Sequence, residues 1–330
     1  LCSDPTLWAY VKMYNRISHN AQLKKLIRSK LGTFTHGITV LHLGSYRQTS
    51  ENGASKPLPR LRLSITPDVM RLLATSCPHL TELGLAYCDL GRSFPQHLPE
   101  TLTEITLVSC LVPVVLPTPL HQEQQSVRLG QLRRLSIYWA VSATQSLLEL
   151  LSSASGLRCL ELINCPRLRA ASIGRICDLF PRLESLALPG IDLLMDEAGD
   201  LALSDMVRRL PDLRVLNLSW LGSQAPYNAQ AVDRLFRCLM QSATRLRCLA
   251  CPAGLSEDVL DKMARVPSLR LVCCAAPPAG RPQLASLETL YRRYCRHFYR
   301  CGLAMFLGEQ PLDCAGPESR PARLSGTAAR

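Results

Sequence analysis

Apolar residues along this chain recur in one short pattern, L-x-x-L-x-L, in which Ile, Val or Cys can replace leucine. Copies fall at Ile38-Leu41-Leu43, Leu80-Leu83-Leu85, Leu102-Ile105-Leu107, Leu132-Leu135-Ile137 and Leu157-Leu160-Leu162. They continue at Leu183-Leu186-Leu188, Leu213-Leu216-Leu218 and Leu246-Leu249-Cys251, with a degraded copy at Leu269-Val272-Cys274. Within x-L-x-L-x, successive side chains alternate across a strand, so the pattern predicts short strands with leucines inward and the x residues outward. Between copies the pattern becomes helical. Thr66-Pro67-Asp68 reads as a helix start leading into Val69, Leu72 and Leu73. Ser256-Glu257-Asp258 opens another, with Val259, Leu260 and Met263. Val232, Leu235, Phe236, Leu239 and Met240 form an amphipathic stripe on a third.

The spacing of these copies averages about 29 residues, the period of leucine-rich repeats. One such strand cannot bury its apolar face alone. Stacking the units makes a parallel sheet over a continuous core, with each strand returned by a helical stretch. The expected fold is therefore an α/β leucine-rich-repeat solenoid, a horseshoe with parallel strands on the concave face and helices on the convex face. Two stretches break the rhythm. Residues 47–65 hold Asn52-Gly53, Pro57 and Pro59 and are expected to be a loop insertion in the first repeat. Residues 112–130, with Pro113, Pro117 and Pro119, are expected to be a second excursion.

Three repeats end L-x-L-x-x-C, at Cys88, Cys110 and Cys165, and the same slot elsewhere holds Tyr46, Ala140, Ile191 and Leu221. A slot that accepts all of these is an inward packing position, where free cysteine acts as a small hydrophobe. Cys248-x-x-Cys251 followed by Cys273-Cys274 is the sharper alternative, a zinc site. Cys251 and Cys274 already occupy core leucine positions, however, and the spacing of paired CxxC motifs is absent. No metal or cofactor is expected. The triplet Asn217-Leu218-Ser219 matches a glycosylation acceptor but sits in a strand pattern.

Length and composition agree with the array. At 330 residues, with 47% hydrophobic and only 5% aromatic residues, the chain exceeds one ordinary core yet carries ample apolar content to fold. The longest strongly apolar stretch, Leu111–Leu120, contains three prolines, so no membrane-spanning helix is expected. The start has no signal-peptide pattern. With 15 cysteines in no framework spacing, reduced thiols and a cytoplasmic or nuclear setting are expected. The chain begins at Leu1 rather than Met and reads as part of a longer protein.

The net charge of +12 is concentrated at the two ends. Residues 1–35 carry six basic residues against one acid, and residues 276–330 carry eight against four. The central body is close to neutral, so its charge does not advertise a nucleic-acid surface. What matters is local. The residue after each motif's first apolar position runs Thr39, Thr81, Thr103, Arg133, Arg158, Glu184, Arg214, Arg247, Arg270. Neighbouring positions expected to be exposed add Arg134, Tyr138, Trp139, Glu161, Asn217 and Trp220. Arginine and aromatic residues are common anchors of protein interfaces, and guanidinium matches carboxylate or phosphate. Two readings stay open. The column binds an acidic or phosphorylated protein segment, or it is a row of solvated arginines partly neutralised by Glu161 and Glu184.

Catalytic patterns are missing. The seven histidines (19, 36, 42, 79, 97, 121 and 297) are scattered, and none lies in H-E-x-x-H. No G-x-S-x-G, G-x-G-x-x-G or P-loop occurs. His42 alternates with strand leucines, where a lone histidine is more often a surface contact than a catalyst. An enzyme is not expected.

The first residues stand apart. Asp4-Pro5 can cap a short helix on which Leu7, Trp8 and Val11 share one face, outside the repeat. A simple hydrophobic cap on the solenoid would read the same way. The string Asp4-Pro5-x-Leu7-Trp8 also resembles the closing helix of an F-box. Cys77-Pro78-x-Leu80-x-x-Leu83-x-Leu85-x-x-Cys88 resembles the cysteine-containing repeat subtype of the F-box/leucine-rich-repeat family. The resemblance covers nearly the whole chain to about Cys274. It implies a substrate receptor of a Skp1–cullin–F-box ubiquitin ligase. The F-box would dock on Skp1, and the repeats would hold a target on the concave face. Only the last F-box helix would be present, with Leu7 and Trp8 on the Skp1 side, so this chain alone is expected to bind Skp1 weakly or not at all. A freestanding repeat scaffold or inhibitor with no ligase role is the alternative.

The expected organisation is thus an F-box remnant with a linking helix over 1–35, the repeats over 36–275, a basic helix over 276–307 and a disordered tail over 308–330. In the basic helix Leu287, Leu290, Tyr291, Tyr294 and Phe298 line one side. It would cap the last repeat or meet an acidic partner or a membrane surface. The expected partners are proteins; neither nucleic acid nor membrane is expected.

Overall fold

A computed structural model turns the leucine motif into the rungs of one parallel sheet. The structure describes residues 9–14, 20–29, 35–44, 63–90, 94–111, 129–138, 154–163, 170–188, 197–218, 245–251 and 271–274, with single positions at 148, 152, 165, 168, 268 and 269. The strands of this sheet are β1 (Tyr10–Tyr14), β2 (Val40–Gly44), β4 (Glu82–Ala86), β6 (Glu104–Val108), β7 (Arg134–Tyr138) and β8 (Cys159–Ile163). It continues with β9 (Ser185–Ala187), β10 (Val215–Asn217), β11 (Cys248–Cys251) and β12 (Leu271–Cys274). They lie side by side in that order. Register follows the motif: Leu41 pairs with Leu83, Leu83 with Ile105, Ile105 with Leu135, and Leu135 with Leu160. A one-residue slip would turn every leucine outward, so burial enforces this alignment.

The inward leucines join the buried faces of the helices in one core. Helix α1 (Asn20–Ser29) contributes Leu23 and Ile27, and α2 (Pro67–Ser76) contributes Val69, Met70 and Leu73. Helix α3 (Ala170–Leu179) contributes Ile173, Ile176 and Cys177, and α4 (Glu197–Arg209) contributes Met206 and Val207. The sets on α1, α2 and α3 have the three- or four-residue spacing of a single helix face, and on α4 the partly buried Ala202 lies four residues before Met206. Pro67 opens α2 as its composition predicts. The Thr66 side chain makes no capping bond, and its backbone carbonyl instead accepts from Val69 N and Met70 N. Gly44 ends β2 with φ of 134°, and a side chain there would overlap the Ala86 backbone on β4.

The L-x-L-x-x-C ending has a backbone cause. Tyr87 and Ser109, each just before the cysteine, have φ of 54° and 49°. This left-handed step turns the chain out of the main sheet. The cysteine then points back into the core, where Cys88, Cys110 and Cys165 are all buried. Their thiols donate to carbonyls, Cys110 Sγ to Leu85 O at 3.3 Å and Cys165 Sγ to Ile163 O at 3.6 Å. A small, weakly donating side chain fits a slot that ends beside strand carbonyls.

Two expectations are corrected. Val11 does not lie on a helix: Tyr10–Tyr14 is strand β1, paired with β2 from Tyr10↔Val40 to Tyr14↔Gly44. The sheet therefore has a rung ahead of residue 36. Trp8-x-x-Val11-x-Met13 has the motif's own spacing, and Val11 is buried in the common core. The loop expected over 47–65 ends in strand β3 (Leu63–Ile65), which pairs with β5 (Cys88–Leu90) in a second, small parallel sheet. Leu63 and Ile65 are both buried there, which alternation favours over a loop. The expected helices near 232, 256 and 286, the excursion at 112–128 and the tail lie outside the described residues. No helix among the described residues is long and apolar enough to cross a membrane.

Candidate protein-interaction surface

The outward positions of the strands are set by the same alternation that buries the leucines. In register, one column runs Lys12, His42, Gly84, Thr106, Ser136 and Glu161, and a second runs Tyr10, Val40, Glu82, Glu104, Arg134 and Cys159. Their side chains interlock. His42 Nε2 donates to Glu82 Oε1 at 2.7 Å. The His42 ring lies over Gly84, where a Cβ would meet it. Lys12 Nζ stands 4.8 Å above the Tyr10 ring, a cation–π contact. Glu161 is the hub of the far end. It accepts from Ser136 Oγ at 2.9 Å and Tyr138 Oη at 3.2 Å and pairs with Arg134 at 3.4 Å. Arg134 also reaches Glu104 at 3.7 Å.

This packing sets the ionisation of the network. The hydrogen bond from His42 holds the Glu82 carboxyl below its ordinary value. Burial pushes Glu104 up, and the charges of Glu82 and Glu161 add to that rise. Burial beside Glu161 raises the Tyr138 phenol, and burial pushes the Cys159 thiol up to about 11. None of these is a low-pKa nucleophile or an acid–base pair poised near neutrality.

Beyond β8 the strand face loses charge. Ser185, Ala187, Val215 and Asn217 follow in the same columns. Asn217, expected to be exposed, is only 9% accessible. Arg134 and Glu161, also expected as exposed positions, are more than half buried, with side chains 29% and 14% accessible. Tyr138 is likewise partly covered. All three are tied to each other rather than standing free. Glu161 is thus the partner of Arg134, Ser136 and Tyr138, whereas Arg158 and Arg214 of the edge column pair with Glu184.

That edge column lies just before the strands and forms a ladder of its own. Thr39 O accepts from both Thr81 N and Glu82 N, Thr81 O from Thr103 N and Glu104 N, and Thr103 O from Arg133 N and Arg134 N. The same step repeats through Arg158, Glu184, Arg214 and Arg247. The arginines lean along the array. Arg133 Nη1 donates to Gly156 O at 2.9 Å, and Arg158 Nη1 donates to Arg182 O at 3.2 Å in the following turn. Arg158 and Arg214 flank Glu184 at 3.6 and 3.7 Å, and Arg245 pairs with Asp212. A guanidinium has five N–H donors, so these one- and two-bond contacts orient each arginine and leave donors for a ligand. The motif spacing aligns this column, but these contacts depend on side-chain reach between repeats. Trp139, Trp220, Arg270, Leu7 and Trp8 lie outside the described residues. Among the described residues no group of His, Cys, Asp and Glu is arranged to hold a metal ion.

Fold and surface together define a leucine-rich-repeat interaction protein, an array whose polar groups are presented on strands and strand edges over one apolar core. Its sequence is similar to F-box/LRR-repeat protein 12 of Homo sapiens, at 25% identity over 226 residues. That match covers 68% of this chain and 64% of the human protein, so the chain spans less than two thirds of its relative. The likeness agrees with the family resemblance carried by the cysteine-ending repeats. No protein-family model matches the chain. An internalin (inlF) from Listeria monocytogenes str. 4b F2365 aligns with a TM-score of 0.38 and 15% identity, over 78% of this chain and 67% of that one.

Proposed function

We propose that this chain is the target-binding part of a substrate-recognition subunit of a Skp1–cullin–F-box E3 ubiquitin ligase. The similarity to F-box/LRR-repeat protein 12 over 68% of the chain carries this reading. The repeats hold a target protein, and ubiquitin comes from an E2 bound elsewhere in the complex. The chain itself is a non-catalytic adaptor, and the target goes on to proteasomal degradation. Skp1 and cullin engage through the F-box, on the side of Leu7 and Trp8.

The target is an acidic or phosphorylated segment bound along the strand-start edge by Arg133, Arg158, Arg214 and Arg247. Arg270 is the next member of this column in sequence, with Trp139 and Trp220 as further sequence candidates, and Arg134, Tyr138, Glu161 and Asn217 lie beside it on the strands. Several guanidinium donors held in a row favour a ligand with carboxylates or phosphates at matching intervals. Co-purification of the complete gene product with Skp1 tests the ligase reading. Stoichiometric Skp1 supports it. A complete protein that carries no Skp1 favours the freestanding scaffold.

A further inference from the structure

The strand-start edge changes chemistry midway. Before β7 it borders a groove of about 900 Å³ lined by Thr39, Thr81, Thr101, Thr103, His79 and Glu100, among others. The threonine hydroxyl protons are all committed inward. Thr39 Oγ1 donates to Ala9 O at 3.0 Å, Thr81 to Thr39 O at 3.1 Å, Thr103 to Thr81 O at 3.2 Å and Thr101 to Leu80 O at 2.6 Å. A hydroxyl has one proton to give and two lone pairs to offer. The threonine part of the wall therefore presents acceptors, beside His79 and Gln131, and the exposed Glu100 adds a full negative charge. Glu82 and Glu104 follow Thr81 and Thr103 on the strands, where they are engaged by His42 and Arg134.

From β7 onward the edge presents donors. Arg133, Arg158, Arg214, Arg245 and Arg247 stand on it, against Glu184 and Asp212. Arg133 turns away from the groove toward Gly156, so the two halves do not neutralise each other at the boundary.

We propose that this edge is a two-signed docking track for one extended partner segment, with a lysine or arginine of the segment in the threonine groove and its acidic or phosphorylated residue on Arg158 and Arg214. The proposal rests on the target-binding reading above and specifies the partner's charge order. The two ends have a defined separation. Thr81 and Arg214 are joined through Thr103, Arg133, Arg158 and Glu184. Strands about 4.8 Å apart put those ends about 24 Å apart, the length of about seven extended residues. A partner with basic and acidic clusters adjacent, or far apart, cannot occupy both halves at once.

Three fluorescein-labelled peptides on the intact chain test this by anisotropy at low salt. One carries two phosphoserines, one two lysines, and one both pairs separated by seven neutral residues. The two-signed peptide is expected to bind at least tenfold tighter than the phosphoserine peptide. E100K is expected to remove that gain while leaving phosphoserine binding unchanged, and R158E/R214E to remove phosphoserine binding. Equal affinity of the two-signed and phosphoserine peptides, or a gain that survives E100K, overturns the two-signed track while leaving the arginine edge standing. Phosphoserine binding that is absent, or unaffected by R158E/R214E, overturns both. Unchanged circular-dichroism melting of E100K, whose site is an exposed turn, shows that the variant folds.

Discussion

His42 on β2 reaches diagonally across to Glu82 on the neighbouring parallel strand β4, with Nε2 2.7 Å from a carboxylate oxygen. The pair is partly buried, so its hydrogen bond counts for more than an exposed ion pair. Because the Glu82 carboxyl is held below its ordinary value, its contribution is present above the unfolded-state pKa and is lost as pH falls through the folded one. E82Q should cost about 1 kcal/mol at pH 7. In urea melts, the difference from wild type should shrink below about pH 4. A difference independent of pH would contradict this role for the pair.

Glu104 has the opposite sign. Burial, Glu82 and Glu161 raise its pKa, so its protonated form fits the folded state better. Its stabilising contribution is complete below the unfolded-state pKa and is lost as pH rises through the folded value. E104Q should therefore leave the melting temperature at pH 7 unchanged or raise it. A clear fall would show that the 3.7 Å contact with Arg134 outweighs the burial.

Two glycines should respond differently to alanine. Gly44 has φ of 134°, and a Cβ there would run into the Ala86 backbone, which has no room to yield. G44A should cost several kcal/mol, the sum of backbone strain and overpacking. At Gly84 the obstacle is the His42 ring, a side chain that can swing away. G84A should cost about as much as losing the His42–Glu82 bond, about 1 kcal/mol. Thermal melts of the two variants give the comparison, and equal losses would contradict it.

Burial should silence the core thiols. Cys77, Cys159 and Cys177 are all pushed up to about 11, chiefly by burial. The thiolate is the reactive form. At pH 8 these three should resist iodoacetamide in the native protein and react promptly in urea, as read by peptide mass mapping. Rapid native labelling at Cys159 would show that the strand face is open at that point.

The inward half of the fold was legible because burial repeats one rule. Leu83, Ile105, Leu135 and Leu160 hold the same place in each copy of the motif, and their register follows from it. Strand β1 escaped because Asp4-Pro5 also reads as a helix cap. Yet Tyr10, Val11 and Tyr14 are strand-favouring residues, and Val11 and Met13 keep the motif spacing. Helix α3 carries Ile173, Ile176 and Cys177 at ordinary helical spacing and could have been found. The polar surface was harder. That Arg133 reaches Gly156, or that Glu161 collects Ser136, Tyr138 and Arg134, depends on side-chain reach between repeats, which spacing within one repeat does not encode.

The central claim is that arginines on the strand-start edge recognise the target. Arg158 and Arg214 share Glu184, and their side chains are 37% and 47% exposed, so reversing both should cost only about 1 kcal/mol of stability. The direct measurement is quantitative affinity purification of the complete protein, wild type against R158E/R214E, with Skp1 as the internal reference. The account predicts equal Skp1 recovery, with a defined set of other proteins lost from the variant. An identical set of proteins recovered with both would contradict it.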